Sequence, residues 1–155
     1  MKKLLRLLIP AIAALCLCAC GKSFQDIKVT SCDLESLSPR GLSSIDAVVN
    51  VGVDNPTVQV TLTGVNAVLK MDGNPCLHVT ADDVTIAPKC EQVYSLLVHG
   101  TLDEAFNPLQ LLGLISEPDL DILTIDVRFR GTLRSGFGKD FEYTDIPLKD
   151  LLSMI

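Results

Sequence analysis

Apolar and polar residues alternate from Ile122 to Arg134. Leu123, Ile125, Val127, Phe129 and Leu133 stand on one side, and Thr124, Asp126, Arg128, Arg130, Thr132 and Arg134 on the other. Successive side chains of an extended chain point to opposite faces, so a period of two demands a strand with one buried and one solvated face. The same period recurs along the chain. Ile27, Val29 and Ser31 alternate with Lys28, Thr30 and Cys32, and Ala47, Val49, Val51 and Val53 with Val48, Asn50 and Gly52. Val58, Val60 and Leu62 alternate with Gln59, Thr61 and Thr63, and Val65, Ala67 and Leu69 follow Gly64. Further strands are expected at Leu77–Val79, Val84–Ile86 (ended by Pro88), Val93–Val98 and around Phe141 and Tyr143. Asp72-Gly73-Asn74 and Ser135-Gly136-Phe137-Gly138 are turn signals. Helical spacing is confined to 108–115, where Asn107 is placed to cap and Pro108 to open the helix, and to 147–155. Strands separated by Gly, Pro and Asn punctuation predict an all-β, antiparallel sandwich.

The N-terminus follows a different pattern. Lys2, Lys3 and Arg6 precede a 13-residue apolar stretch, Leu7 to Ala19. A membrane span needs about 20 apolar residues, so this stretch reads as an export signal. It ends Leu17-Cys18-Ala19-Cys20-Gly21, which resembles a bacterial lipobox: Leu three residues before the cut, a small residue beside it, then the Cys whose thiol takes diacylglycerol. The chain therefore divides into residues 1–19 as lipoprotein signal peptide, 20–26 as acylated tether and 27–155 as one β-sandwich domain. Cleavage leaves ten Lys and Arg against nineteen Asp and Glu, moving the net charge from −6 to −9. Nucleic-acid binding needs clustered cations and is excluded as a function class. Gly21 is not the Asp that retains lipoproteins at the inner membrane of enteric bacteria, which favours the outer membrane, facing the periplasm or the cell surface. The partner implied is the lipid bilayer, through acylated Cys20, with an envelope protein as a further partner.

Of six cysteines, two leave with the signal and one carries lipid. Cys76 and Cys90 flank a hairpin expected over Leu77–Ile86. A disulfide there would close a 15-residue loop, worth about 3 kcal/mol in the chain-entropy model. The competing reading is three small buried hydrophobes, Cys32, Cys76 and Cys90.

The order of motifs from Ser36–Pro39 and Ala47–Val53 through Asn55-Pro56, Val58–Leu62, Gly64–Met71, Asp72-Gly73, Ile86-Ala87-Pro88 and Val93–Gly100 resembles the late-embryogenesis-abundant type 2 family, or water-stress-hypersensitive-response (WHy) domain. The resemblance covers roughly residues 27–146. The family's Ile-Pro-Ala-like step reads here with Ala and Pro transposed. The chain is also similar to uncharacterised Bacteroidetes-type lipoproteins carrying this domain. The resemblance implies a fibronectin-III-like (immunoglobulin-type) sandwich of about seven strands with one short helix, here near 108–115. It implies no catalytic site, and a link to desiccation and stress, often at membranes.

Other chemistry is thinly supported. Cys76 and His78, two apart on an expected strand, with Cys90 nearby, could hold zinc, but no further His or C-x-x-C completes the set. Asp82-Asp83 and Asp119-x-Asp121 offer oxygens for calcium, which wants six or more, and read more simply as solvated turns. With two His and no G-x-S-x-G, a nucleophilic triad is not indicated, and Ser135–Gly138 lacks the Lys-Ser/Thr of a phosphate loop. No cofactor and no enzymatic activity are expected. Arg128, Arg130 and Arg134 share one strand face. They read either as partners of Asp140 and Glu142 across the hairpin or as a contact for anionic headgroups. The expected function is a membrane-anchored, non-enzymatic binding or protective module linked to stress tolerance. The alternatives are a carrier of a hydrophobic ligand beside the 109–115 helix and a structural subunit of an envelope complex using an edge strand.

Overall fold

The computed structural model describes residues 26–110, 113 and 119–153. Its strands are β1 (Lys28–Arg40), β2 (Ser44–Asn55), β3 (Val60–Met71), β4 (Asn74–Ala81), β5 (Val84–Ile86), β6 (Cys90–Leu102), β7 (Leu123–Leu133) and β8 (Gly138–Pro147), followed by a helix α1 (Leu148–Ser153). Pairing is antiparallel throughout, in the order β1-β2-β6-β4-β3-β7-β8, with β5 on β3. The fold is all-β and sandwich-like. One layer is β1-β2-β6, the other β5-β3-β7-β8, and β4 joins them by bonding to β3 along Asn66–Met71 and to β6 along Val98–Leu102. The described residues form eight strands where about seven were expected, the shortest being the three-residue β5 on β3. Residues 108–110 and 113 are helical, and the rest of the 108–115 helix lies outside the described residues. The Asn107 side chain caps it, accepting the Leu109 N–H at 2.9 Å.

Both layers turn their alternate residues inward to one core. Ala47, Val49, Val51 and Val53 of β2 meet Val60, Leu62, Ala67 and Leu69 of β3 and Leu123, Ile125, Val127 and Phe129 of β7 in a single buried cluster. Phe129 stacks on Phe141 with ring centroids 5.0 Å apart. Leu148 plugs the core from α1. The Asp72-Gly73 turn has φ of 49° and 80°, the left-handed geometry of a tight hairpin turn.

Register fixes the two ends of the sandwich. Lys28 opposes Asp54 and Asn55 opposes Cys90, while Val60 opposes both Ile86 and Leu133. One end therefore collects the start of β1, the β2–β3 turn, the β5–β6 turn and the β7–β8 turn. The other end holds the β1–β2 turn, Asp72-Gly73 and α1.

The Leu77–Ile86 segment is not a hairpin, because β4 and β5 both pair with β3 and not with each other. The Cys76–Cys90 disulfide is likewise overturned. All three described cysteines are free thiols. Leu77 opposes Leu102, at the far end of the strand that begins with Cys90. Twelve residue steps of strand separate them, roughly 40 Å, whereas a disulfide needs Cα atoms within about 7 Å.

Candidate functional site

The segment that carried the family resemblance closes on itself at the end where β1 begins. Asn55 is the one buried polar residue of the described chain, with no exposed surface. Its Nδ2 donates to the Val58 carbonyl at 2.8 Å and to the Ala87 carbonyl at 3.1 Å. Its Oδ1 accepts from the Thr57 N–H at 2.9 Å and the Thr57 hydroxyl at 2.7 Å. All four hydrogen-bonding positions of the amide are used, so a polar side chain sits in the core without leaving an unpaired group. Ala87 is gripped on its other side, its N–H donating to the Tyr94 hydroxyl at 2.8 Å. This clasp ties together two of the places where the chain crosses between layers, Asn55-Pro56 and Ile86-Ala87-Pro88. Sequence reading found both segments and treated Asn55-Pro56 as a local turn. The reach to Ala87, across 32 residues, has no local signal.

The second cluster went unrecognised in the sequence because His78 and His99 lie on separate strands. Those strands, β4 and β6, are neighbours, and His78 opposes Thr101 while His99 opposes Thr80 and Asp46. His78 Nε2 donates to Asp103 at 2.7 Å. His99 Nδ1 donates to Asp46, whose second oxygen accepts from Arg40 at 2.7 Å. The Thr101 hydroxyl lies 3.3 Å from His99 Nε2. The His99 bond, then Arg40, holds the Asp46 carboxyl below its usual range. The His78 bond, then the Ala105 N–H, does the same for Asp103.

Asp46, His99 and Thr101 thus stand in the order acid, imidazole, hydroxyl. The arrangement lies on an open sheet face, with His99 48% exposed. The nearby backbone N–H groups belong to the β2–β6–β4 ladders, so they do not converge as an oxyanion hole must. The cluster fixes two imidazoles against two carboxylates. No group of three or more His, Cys, Asp or Glu among the described residues is placed to hold a metal ion.

The other predicted residues fall as follows. Cys20 lies outside the described residues. Cys76 and His78 do not share a face. A bulge between Leu69 and Lys70 turns Cys76 inward, where its thiol donates to the Leu69 carbonyl at 3.1 Å, and a bulge of this kind breaks the two-residue alternation. Burial pushes the Cys76 thiol up to about 11. Burial and then Asp33 also raise Cys32. Asp83 accepts from the Gly64 N–H at 3.2 Å, Asp119 from the Asp121 N–H at 3.0 Å, and Asp121 pairs with Lys149 at 2.9 Å. Arg128 pairs with Glu142 at 2.9 Å and Arg130 with Asp140 at 3.0 Å across β7–β8, as the hairpin reading expects. Arg134 lies beyond the strand, exposed in the turn.

No family model matches this chain, and no curated protein does. Among solved structures, a protein of Archaeoglobus fulgidus is similar over 76% of this chain and 97% of its own, at 17% identity and a TM-score of 0.44. An exo-chitosanase of Amycolatopsis orientalis, solved in complex with PNP-beta-D-glucosamine, is similar over 77% of this chain but only 13% of its own, at 14% identity and a TM-score of 0.31.

Proposed function

We propose that this chain is a membrane-anchored, non-enzymatic envelope lipoprotein, held in the bilayer by acyl groups on Cys20. Its domain, of late-embryogenesis-abundant type 2 character, serves as a binding or protective module under water stress. The observation that carries the reading is Leu17-Cys18-Ala19-Cys20-Gly21, which puts a lipid acceptor a few residues ahead of β1. Two or three acyl chains anchor stably where one does not, each buried CH₂ contributing about 0.8 kcal/mol. The Asn55 clasp supports the family part, since it gives the Asn-Pro and Ile-Ala-Pro segments a shared purpose. On the β3–β7–β8 face the ionic groups pair with one another, as in Arg128–Glu142, Arg130–Asp140 and Lys70–Asp126, which suits a module without bond-making chemistry. Two features speak against the envelope-complex alternative through strand addition at β1. That edge has two register shifts and carries Pro39, both devices that blunt edge pairing.

The test is expression in a Gram-negative host with radiolabelled palmitate. Label on the native chain at the outer membrane, absent from Cys20→Ala, is the expected result. Label retained by Cys20→Ala overturns the anchor. Failure of the purified domain to protect a desiccation-labile enzyme better than albumin overturns the protective role.

A further inference from the structure

The end of the sandwich where β1 begins differs from the rest of the surface. It presents Phe137, 67% exposed, from the β7–β8 turn and Val58, 50% exposed, from the β2–β3 turn. Around them the exposed Lys28, Lys89, Arg134 and Lys139 project from β1, the β5–β6 turn and the β7–β8 hairpin, with Asp26, Asp54 and Glu91 at the same end. Lys89 is held there at φ 51°, a left-handed conformation that a residue with a Cβ adopts at a cost. The opposite end is acidic: Asp46, Asp72, Asp103, Asp121, Asp126 and Asp145 outnumber Arg40, Lys70 and Lys149.

Reach decides which end can meet a membrane. Eight residue steps separate Cys20 from Lys28, spanning at most about 28 Å when fully extended. The sandwich is longer, since β6 with its 13 residues runs roughly 40 Å. A chain acylated at Cys20 cannot turn its acidic end to the lipid. It can lie on its side or stand on the β1 end. The outer β2–β6 face has apolar Val93 and Leu97, 60% and 46% exposed, but β2 and β6 carry no Lys or Arg to meet anionic headgroups, only Asp46, Asp54 and Glu91. The β1 end sets its apolar tips beside cations that its own carboxylates, Asp26, Asp54 and Glu91, offset only in part.

We propose that the end formed by Val58, Lys89, Arg134, Phe137 and Lys139 is a membrane-contact surface. It seats the domain upright on the anionic phospholipid bilayer that holds its own acyl chains. This rests on the lipoprotein reading above. Phe137 and Val58 enter the interfacial layer and bury apolar area at the headgroup–acyl boundary. The cations meet phosphate and carboxylate headgroups, each worth about fivefold in affinity near such a surface.

The chain has no Trp, so single substitutions Phe137→Trp, Val93→Trp and Leu42→Trp give one reporter each. The acylated protein is reconstituted into phosphatidylethanolamine–phosphatidylglycerol vesicles containing brominated lipid. Strong quenching at position 137, with little at 93 and none at 42, is the expected result. A vesicle-bound protein quenched at 93 more than at 137, or at neither, overturns the surface and leaves the anchor standing. A mature mass showing Cys20 unmodified overturns the anchor. The surface is then decided by Cys20→Ala protein alone. Weak, salt-sensitive binding to the same vesicles, reduced about a hundredfold by Lys89→Gln/Arg134→Gln/Lys139→Gln, supports it. No binding refutes it.

Discussion

Replacing Asn55 by Ala should be among the costliest single substitutions outside the apolar core. The side chain is fully buried and makes four hydrogen bonds. Each is worth about 1 kcal/mol net, and more where the abandoned partner stays dry. Water reaches the half-buried Thr57 and recovers part of the loss, whereas the Val58 and Ala87 carbonyls keep the rest. The expected destabilisation is about 3–4 kcal/mol, read as a shifted urea midpoint with unchanged slope. Asn55→Asp separates the two halves of the clasp. Its carboxylate still accepts from Thr57, but an oxygen replaces the Nδ2 donor and faces two carbonyls. The folded chain then prefers the neutral acid, so the carboxyl is raised on folding. Its contribution is present below the unfolded value of about 3.9 and is lost as pH rises through the folded value. Asn55→Asp should therefore be as damaging as Asn55→Ala at pH 7 and partly restored near pH 3–4, relative to the parent at each pH. A loss under about 1 kcal/mol for Asn55→Ala, or an Asp variant indifferent to pH, would refute the clasp.

Three shorter predictions concern other sites. Because burial raises the Cys76 thiol to about 11 from 9.0, its neutral form stabilises the fold below pH 9. That stability, about 2–3 kcal/mol, is lost as pH climbs from 9 to 11, and Cys76→Ala should flatten this part of the pH–stability curve. Iodoacetamide mapping at pH 8 should leave Cys76 unmodified until the chain is unfolded. Gly52→Ala would put a Cβ 2.3 Å from Ser31 Oγ and 3.2 Å from Ser31 N. We expect about 1–2 kcal/mol of destabilisation, with faster amide exchange confined to the first half of β1. Asp46, depressed by His99 and Arg40, adds stability above pH 3.8 that is lost as pH falls through its folded value. Asp46→Asn should remove that acid-limb dependence in NMR titration and urea melts.

Elements whose pattern runs unbroken were legible in the sequence. β7 alternates as read, with Leu123, Ile125, Val127 and Phe129 buried, because a strand packed on one face has one stable register. The Asp72-Gly73 turn was equally plain. β1 was not, since two bulges reset its parity. Ser31, read as inward, is exposed, while Cys32, Leu34 and Leu37 pack on the core. The same cause hid Cys76, read as sharing a face with His78. Pairing between distant strands was invisible, and with it the neighbouring positions of His78 and His99 and the separation of Cys76 from Cys90. A bulge is one residue, and a strand order is a property of the whole chain. Neither leaves a mark in a local window.

The placement of the termini has a mechanical consequence. β1 starts at one end of the sandwich, and β8 finishes at the other, where Pro147 opposes Thr124. Tension between the N-terminal anchor and anything gripping the C-terminal helix runs along the strand axes. The β1–β2 and β7–β8 ladders are perpendicular to that line, so their bonds are strained together in shear instead of being unzipped one at a time. A domain strung this way resists pulling away from its anchor more strongly than its equilibrium stability implies, because the unfolding barrier, not the free-energy difference, sets forced rupture.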